Sequence, residues 1–359
     1  MVSRIIFILA MLLGNFIFPA ERFREGDRVA FIGDSITHGG IYFAWVNEFY
    51  LTRFPSEKII FINNGISGDT ASGANSRFDW DIMTGKPNAA AIMLGMNDVN
   101  RPSYGVESPN EEILKRQTDA LNSYKTNTVT LAARLQTNKV RLTFITPSPY
   151  DQTASLKEKN LFGVNGALSN CGEFLKARAL DLKAGLVDFN GPMTSLNAQI
   201  QATNVEATLV GRDRVHPGGL GHLVMAWLFL KAQGMTSTVA NVDIDADAKR
   251  VTSENASVDD LKIADEGLSF VYRARSLPLP VNDDYRAVDA LVPLTTDLNV
   301  ETIRIRNLAS GSWTLSMNGT NLGIYSAEAF AAGINIATNL LSPGQLQAQM
   351  IQKLNRDRW

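Results

Sequence analysis

The sequence predicts a three-layer α/β domain on a parallel sheet, followed by a smaller β-rich region, and three observations lead there. Apolar runs recur at Arg28 to Ile32, Lys58 to Asn63, Ala89 to Leu94, Val140 to Thr146 and Gly185 to Phe189. They lack polar alternation, as strands buried on both faces do. Helical patterns separate these runs, and strands alternating with helices pair in parallel through right-handed crossovers. Beyond residue 236 the composition changes and period-two alternation follows.

Taken in order, the chain opens with Arg4, an apolar stretch from Ile5 to Phe18 and the small residue Ala20. This is the order of a signal peptide, expected over residues 1–20. The stretch is short for a membrane span and no later one reaches the necessary length. The expectation is export to a secreted or periplasmic location, with no stable membrane insertion once the signal is removed. The α/β domain is expected over residues 24–235. Within it, Ser108-Pro109-Asn110-Glu111 reads as a capping box with proline at the first helical position. The helix it opens carries Leu114, Leu121, Tyr124, Leu131 and Leu135 on one stripe. A second helix is expected from near Ser169 to before Gly185. A third follows His216, carries Leu223, Val224, Trp227 and Leu228, and stops at Gly234.

Residues 236–359 are expected to form the accessory β-rich region. Thr302 to Arg306 and Trp313 to Met317 alternate like strands, the latter ahead of an Asn318-Gly319 hairpin turn. The chain then closes on a polar helical stretch, PGQLQAQMIQKLNRDRW, with no obvious terminal cap. Packing against the α/β domain is the expected role of this region, and carbohydrate binding the alternative.

Composition removes several classes of function. Acidic residues outnumber basic ones by 36 to 34 and no basic stripe forms, so a nucleic-acid partner is not expected. Cys171 stands alone, which leaves neither an internal disulfide nor a lipid-accepting cysteine after the apolar stretch. The three histidines are spread out without ligand spacing, so neither a metal site nor a cofactor is expected. Partners should be small or neutral molecules.

In a parallel sheet, ligands gather beyond the carboxyl ends of the strands. The polar residues there are few: Gly33-Asp34-Ser35 after the first strand, Asn64-Gly65-Ile66-Ser67-Gly68 after the second, and Gly95-Met96-Asn97-Asp98 after the third. Asp213-Arg214-Val215-His216-Pro217 precedes the last helix. A serine hydroxyl needs a base to take its proton, and His216 is the candidate. The imidazole needs an acceptor on its other nitrogen, which Asp213, three residues earlier, can provide. The oxygen that becomes negative on attack needs donors already in place. The backbone N–H groups of Ser35 and Gly68 and the amide of Asn97 are the candidates, with Asp34 and Asp98 in support. Each residue also has an ordinary reading: a helix cap at Ser35, a turn at Gly68, an Asx-turn at Asn97-Asp98, a helix start at His216-Pro217. Their joint occurrence at successive strand ends favours the catalytic one. His38 is expected along the surface or lining the cleft, and His222 as a satisfied core or boundary histidine. Tyr104 and Tyr150 are candidates to stack on a sugar ring.

These four blocks, in this order, resemble the SGNH hydrolases, also called the GDSL esterase/lipase family, on Ser35, Gly68, Asn97 and His216. Here the first block reads Gly-Asp-Ser-Ile. The resemblance implies a flavodoxin-like three-layer parallel sheet, Ser35 as nucleophile, Gly68 and Asn97 as oxyanion donors, and Asp213 with His216 completing a triad. No G-x-S-x-G elbow occurs, which argues against the α/β-hydrolase fold. The expected function is an exported serine esterase that deacetylates a carbohydrate, its substrate an acetylated oligo- or polysaccharide or another small ester. An acyl hydrolase of the lipase or lysophospholipase type and a non-catalytic glycan-binding protein on the same fold are the alternatives.

Overall fold

A computed structural model describes residues 19–264 and 267–357. The expected signal peptide therefore lies outside the described residues apart from its last two positions. Of these, Pro19 bridges to Leu186 and Ala20 is buried.

Up to residue 232 the chain runs β1 (Arg28–Gly33), α1 (Ser35–His38), α2 (Ile41–Arg53), β2 (Ile60–Gly65), α3 (Ala71–Ser76), β3 (Ala89–Met93), α4 (Glu111–Thr137), β4 (Arg141–Ile145), α5 (Val164–Leu182), β5 (Gly185–Val187), α6 (Asn190–Gln201) and α7 (Gly219–Ala232). The strands form one parallel sheet in the order β2-β1-β3-β4-β5. The apolar runs thus become the central layer, as expected. Helix α2 packs with α7, and α4 with α5. Phe31 of β1 meets Phe43 of α2 and Phe229 of α7, while Tyr124 of α4 meets Phe174 of α5. The chain leaves β1 for β2 on one side and then crosses to β3 on the other. That reversal opens a crevice at the carboxyl ends of β1 and β3.

Two helix starts differ from expectation. Asn110, not Ser108, is the cap of α4, its side chain accepting from the Ile113 N–H at 2.9 Å. The proline-bearing dipeptide before it stays outside the helix. Helix α5 begins at Val164, a full turn before Ser169, from a Gly163 whose φ is +94°. Glycine reaches that conformation without the cost another residue would meet, and it starts the helix with no side-chain cap.

The remainder comprises β6 (Thr238–Asp245), β7 (Arg250–Glu254), β8 (Ala256–Ala264), β9 (Gly267–Ala274), α8 (Asp283–Asp289), α9 (Leu294–Leu298), β10 (Val300–Arg306), β11 (Ser312–Met317), β12 (Thr320–Ser326), α10 (Ala327–Ala332), β13 (Ile334–Asn335) and α11 (Pro343–Arg356). Strands β13-β10-β6-β7 form a sheet with its own small core around Val242, Ile244, Ile303, Ile305 and Phe330. The hairpins β8-β9 and β11-β12 flank it, the second turning through Asn318 at φ +49° and Gly319 at φ +79°, the mirror-image turn that Asn-Gly favours.

The α/β body does not stop at residue 235. Leu279, Tyr285, Val288, Leu294 and Leu298 are buried in its core, not in that of the second sheet. Arg53 of α2 completes the junction by donating to the carbonyls of Thr238 at 2.7 Å and Leu298 at 2.8 Å. The last helix is capped after all, the Ser342 hydroxyl accepting from the Gln345 N–H at 3.1 Å. It turns its amides inward: Asn355 accepts from Asn47 at 2.8 Å, and Gln352 donates to Glu48 at 3.2 Å.

Glu48 is buried in that helix contact, and burial pushes its carboxyl up to about 8 against the hydrogen bond from Gln352 and the charge of Arg356. A carboxyl whose folded value lies above its ordinary 4.5 contributes stability that is full below that pH and lost as the pH rises through about 8. Glu48→Gln keeps an acceptor for Gln352 and has no proton to lose. Its melting temperature is expected to gain on that of the wild type between about pH 5 and about pH 9. Thermal unfolding at both ends checks this, and an offset independent of pH would contradict it.

Candidate active site

Ser35 is the first residue of α1, separated from the end of β1 by Asp34 alone. Asp34 caps that helix, accepting from the Ile36 N–H at 3.0 Å. Two glycines allow so tight an arrangement. A Cβ on Gly33 would stand 2.2 Å from the Thr37 hydroxyl, and one on Gly65, at the end of β2, 2.3 Å from the His38 backbone nitrogen. The helix carrying Ser35 therefore lies directly against the neighbouring strand end. As its first residue, Ser35 also presents a backbone N–H with no intrahelical partner.

The Ser35 hydroxyl lies 2.7 Å from Nε2 of His216, and Nδ1 of His216 lies 2.5 Å from Oδ2 of Asp213. An ionised carboxylate can only accept, so Nδ1 bears the proton and Nε2 accepts from the serine. The other carboxylate oxygen accepts from the backbone N–H groups of Val215 at 3.0 Å and His216 at 2.9 Å. Partial burial raises the Asp213 carboxyl, but the hydrogen bonds from the His216 side chain and these N–H groups outweigh it and hold the group below its ordinary value. The side chains of His216 and Asp213 are 48% and 53% exposed, so the imidazole is reached directly from solvent.

Gly68 has a φ of +80° with open space where a Cβ would stand. It supplies backbone conformation, not room. The next residue, Asp69, anchors the loop through a buried ion pair with Arg77, which also donates to the Asn64 carbonyl at 2.7 Å. The Asn97 amide nitrogen donates to the Asp69 carbonyl at 3.0 Å, tying the loop after β3 to the loop after β2. Asp98 makes a second tie by accepting from the Ala71 N–H at 2.8 Å. Burial pushes Asp98 up to about 7, and Asp34 up to about 6. The five residues expected to act in the reaction, with their two supporting carboxylates, thus converge at one edge of the sheet.

Other expectations resolve by geometry. His38 is exposed and faces the Gly68 loop: its Nδ1 lies 2.9 Å from the Ser67 hydroxyl and accepts from the Ser67 N–H at 3.3 Å. His222 is buried, but it is not satisfied as expected, because its Nδ1 has no hydrogen-bond partner among the described residues. Burial, then the charge of His216, pushes it down to about 4, so it stays neutral beside the parallel ring of Tyr42. Tyr150 is 3% exposed and accepts from the Leu161 N–H at 2.8 Å; it packs and cannot stack on a sugar. Tyr104 is half-buried against Gly163. Among the described residues no cluster of three acidic, His or Cys side chains stands ready for a metal ion, and no helix is long and apolar enough to cross a membrane.

Asp69, Arg77 and Arg101 went unnoticed in the sequence. An Asp-Thr pair directly after Gly68 was a readable helix-start signal, but nothing in spacing announced that Arg77 and Arg101 fold back onto the loops.

A hydroxyl, an imidazole and a carboxylate in line at the carboxyl edge of a five-stranded parallel sheet, with no nucleophile elbow, form the framework of SGNH hydrolases. The chain belongs to the GDSL-like lipase/acylhydrolase family, whose model matches residues 29–229. A solved structure of a gut microbial diltiazem-metabolizing enzyme is 32% identical and superposes with a TM-score of 0.89, covering 96% of this chain and 80% of its own. An acetylxylan esterase of Geobacillus stearothermophilus is 26% identical over 225 residues, 58% of this chain and 95% of that protein. The crystal structure of an acetylxylan esterase from that organism, 24% identical, matches 59% of this chain and 96% of its own with a TM-score of 0.48.

Proposed function

We propose that this chain is an exported serine esterase that removes acetyl groups from a carbohydrate, with Ser35, His216 and Asp213 as its triad. The observation that carries the reading is the unbroken hydrogen-bonded line from the Ser35 hydroxyl through His216 to Asp213. The Ser35 oxygen attacks the acetyl carbonyl while Nε2 of His216 takes the hydroxyl proton. Negative charge collects on the former carbonyl oxygen, facing the backbone N–H groups of Ser35 and Gly68 and the Asn97 amide. His216 then protonates the departing sugar oxygen, leaving acetyl-Ser35. Water, deprotonated by the same imidazole, attacks this ester, and acetate leaves as Ser35 recovers its proton.

The sugar-ester choice draws support from the acetylxylan esterase relative and from the signal-like order of Arg4, Ile5 to Phe18 and Ala20. The exposure of His216 suits it too, because a polymer chain can approach an open imidazole. Acetate release from acetylated xylan and pectin, beside a p-nitrophenyl ester series from acetate to palmitate, tests the assignment. Diltiazem belongs in the panel because the relative spanning nearly the whole chain metabolizes it. Acetate release from the polysaccharides and an optimum at the shortest acyl chain are expected. An optimum at long chains would move the protein to the lipase side.

A further inference from the structure

The oxyanion hole, under the proposed esterase reading on which this inference rests, depends on which way the Asn97 amide faces. An amide reversed about its terminal bond would present its oxygen to a developing negative charge and oppose the reaction. In this structure both ends of the amide are held. One N–H donates to the Asp69 carbonyl at 3.0 Å, and the amide oxygen accepts from Nη2 of Arg101 at 3.2 Å. The amide nitrogen carries two hydrogens, so one remains for substrate.

Arg101 is itself set in place by the chain. Asn100, in the left-handed region at φ +54°, turns the backbone after Asn97. Residues Arg101–Ser103 then form a 3-10 turn, which Gln117 of α4 fastens by donating to the Ser103 carbonyl at 2.8 Å. The guanidinium, four residues beyond Asn97, folds back over the amide. A full positive charge on the oxygen of an amide draws electron density from its nitrogen and makes the remaining N–H a stronger donor. A neutral partner could orient the amide, but only a cation would polarise it so strongly.

We propose that Arg101 is a positioning residue of the reaction: it clamps and polarises the Asn97 carboxamide, so that the free N–H enters the oxyanion hole.

A double-mutant cycle on p-nitrophenyl acetate tests this. Asn97→Ala is expected to lower kcat about 10²- to 10³-fold, the loss for one oxyanion donor. Arg101→Met, which keeps an unbranched stem and removes the charge, is expected to lower kcat about tenfold with KM unchanged. In the Asn97→Ala background, Arg101→Met is expected to change kcat by no more than about twofold, because the group it acts through is gone. Multiplying losses, or a loss confined to KM, would overturn the proposal by showing that Arg101 acts on the substrate itself. A substrate-free readout accompanies the kinetics: the side-chain NH₂ signals of 15N-labelled asparagine, with the Asn97 pair assigned through Asn97→Ala. In Arg101→Met that pair is expected to shift upfield and broaden while the other asparagines keep their positions. An unchanged pair would overturn the clamp even if the protein hydrolysed no ester, whereas absent wild-type turnover with the expected NMR change would count against the esterase reading alone.

Discussion

Ser35→Ala is expected to abolish acetate release, with turnover falling by on the order of 10⁶, the loss seen when a nucleophile is removed from such a triad. The size follows from the division of labour. In the proposed reaction the serine supplies the covalent intermediate, and without it His216 and the proposed oxyanion donors could assist only a direct attack by water, a slower reaction. Among the described residues the side chain of Ser35 has one hydrogen bond, to His216, and its residue is neither deeply buried nor the cap of α1, a role that falls to Asp34. Melting temperature should therefore stay within a degree or two of the wild type. Labelling by a fluorophosphonate should vanish along with turnover. Undiminished acetate release by this variant would end the nucleophile assignment, and lost labelling in a misfolded variant would show as a lowered melting temperature.

Asp213→Asn should have the next largest effect, about 10⁴ in kcat with a small effect on KM. The carboxylate serves two clients at once, His216 Nδ1 through one oxygen and the backbone N–H groups of Val215 and His216 through the other. Asparagine has only one acceptor oxygen. If that oxygen stays with the backbone groups, the NH₂ donates to Nδ1 and moves the imidazole proton to Nε2, where it cannot accept from Ser35. If the amide reverses, its NH₂ faces two N–H donors and the loop holding His216 loosens. Either way the proposed base is lost while Ser35, Gly68 and Asn97 stay in place. Steady-state kinetics on p-nitrophenyl acetate checks the size. A loss below about tenfold would mean that His216 is held by its surroundings and not by Asp213.

The groups proposed to form and break bonds could be read from the chain because each stands at a boundary between elements. Ser35 follows a buried strand, Asn97 follows another within a few residues, and Asp213 reaches His216 across a three-residue spacing. Local order fixes such positions, and a parallel sheet brings the loops to one edge. The supporting groups left no such trace. Arg101 matters because Asn100 turns the chain back, and Arg77 because it reaches the carbonyl of Asn64 from the end of α3. Neither reach has a periodicity.

Part of the core escaped for a related reason. Leu279, Tyr285 and Leu298 lie beyond an apparent change of composition, yet they are buried with the first sheet and its helices. Burial is non-directional and takes apolar surface from wherever the chain passes, so a shift in local pattern need not mark the edge of a core. Tyr150 shows the converse: its loop position suggested a sugar platform, and long-range packing buried it.

By itself the sequence determined the order of strands and helices, the parallel sheet and the identity of the groups at its carboxyl edge, because periodicity, glycine and capping chemistry act over a few residues. Only the tertiary structure decided that the Ser35 hydroxyl meets Nε2 of His216, that Asp69 and Arg101 hold the two ends of the Asn97 amide, and that the region after residue 236 shares its apolar residues with the α/β body. Those arrangements join residues far apart in the chain or turned back by the loops between them, and the free energy of closing such loops and packing their ends belongs to the whole fold.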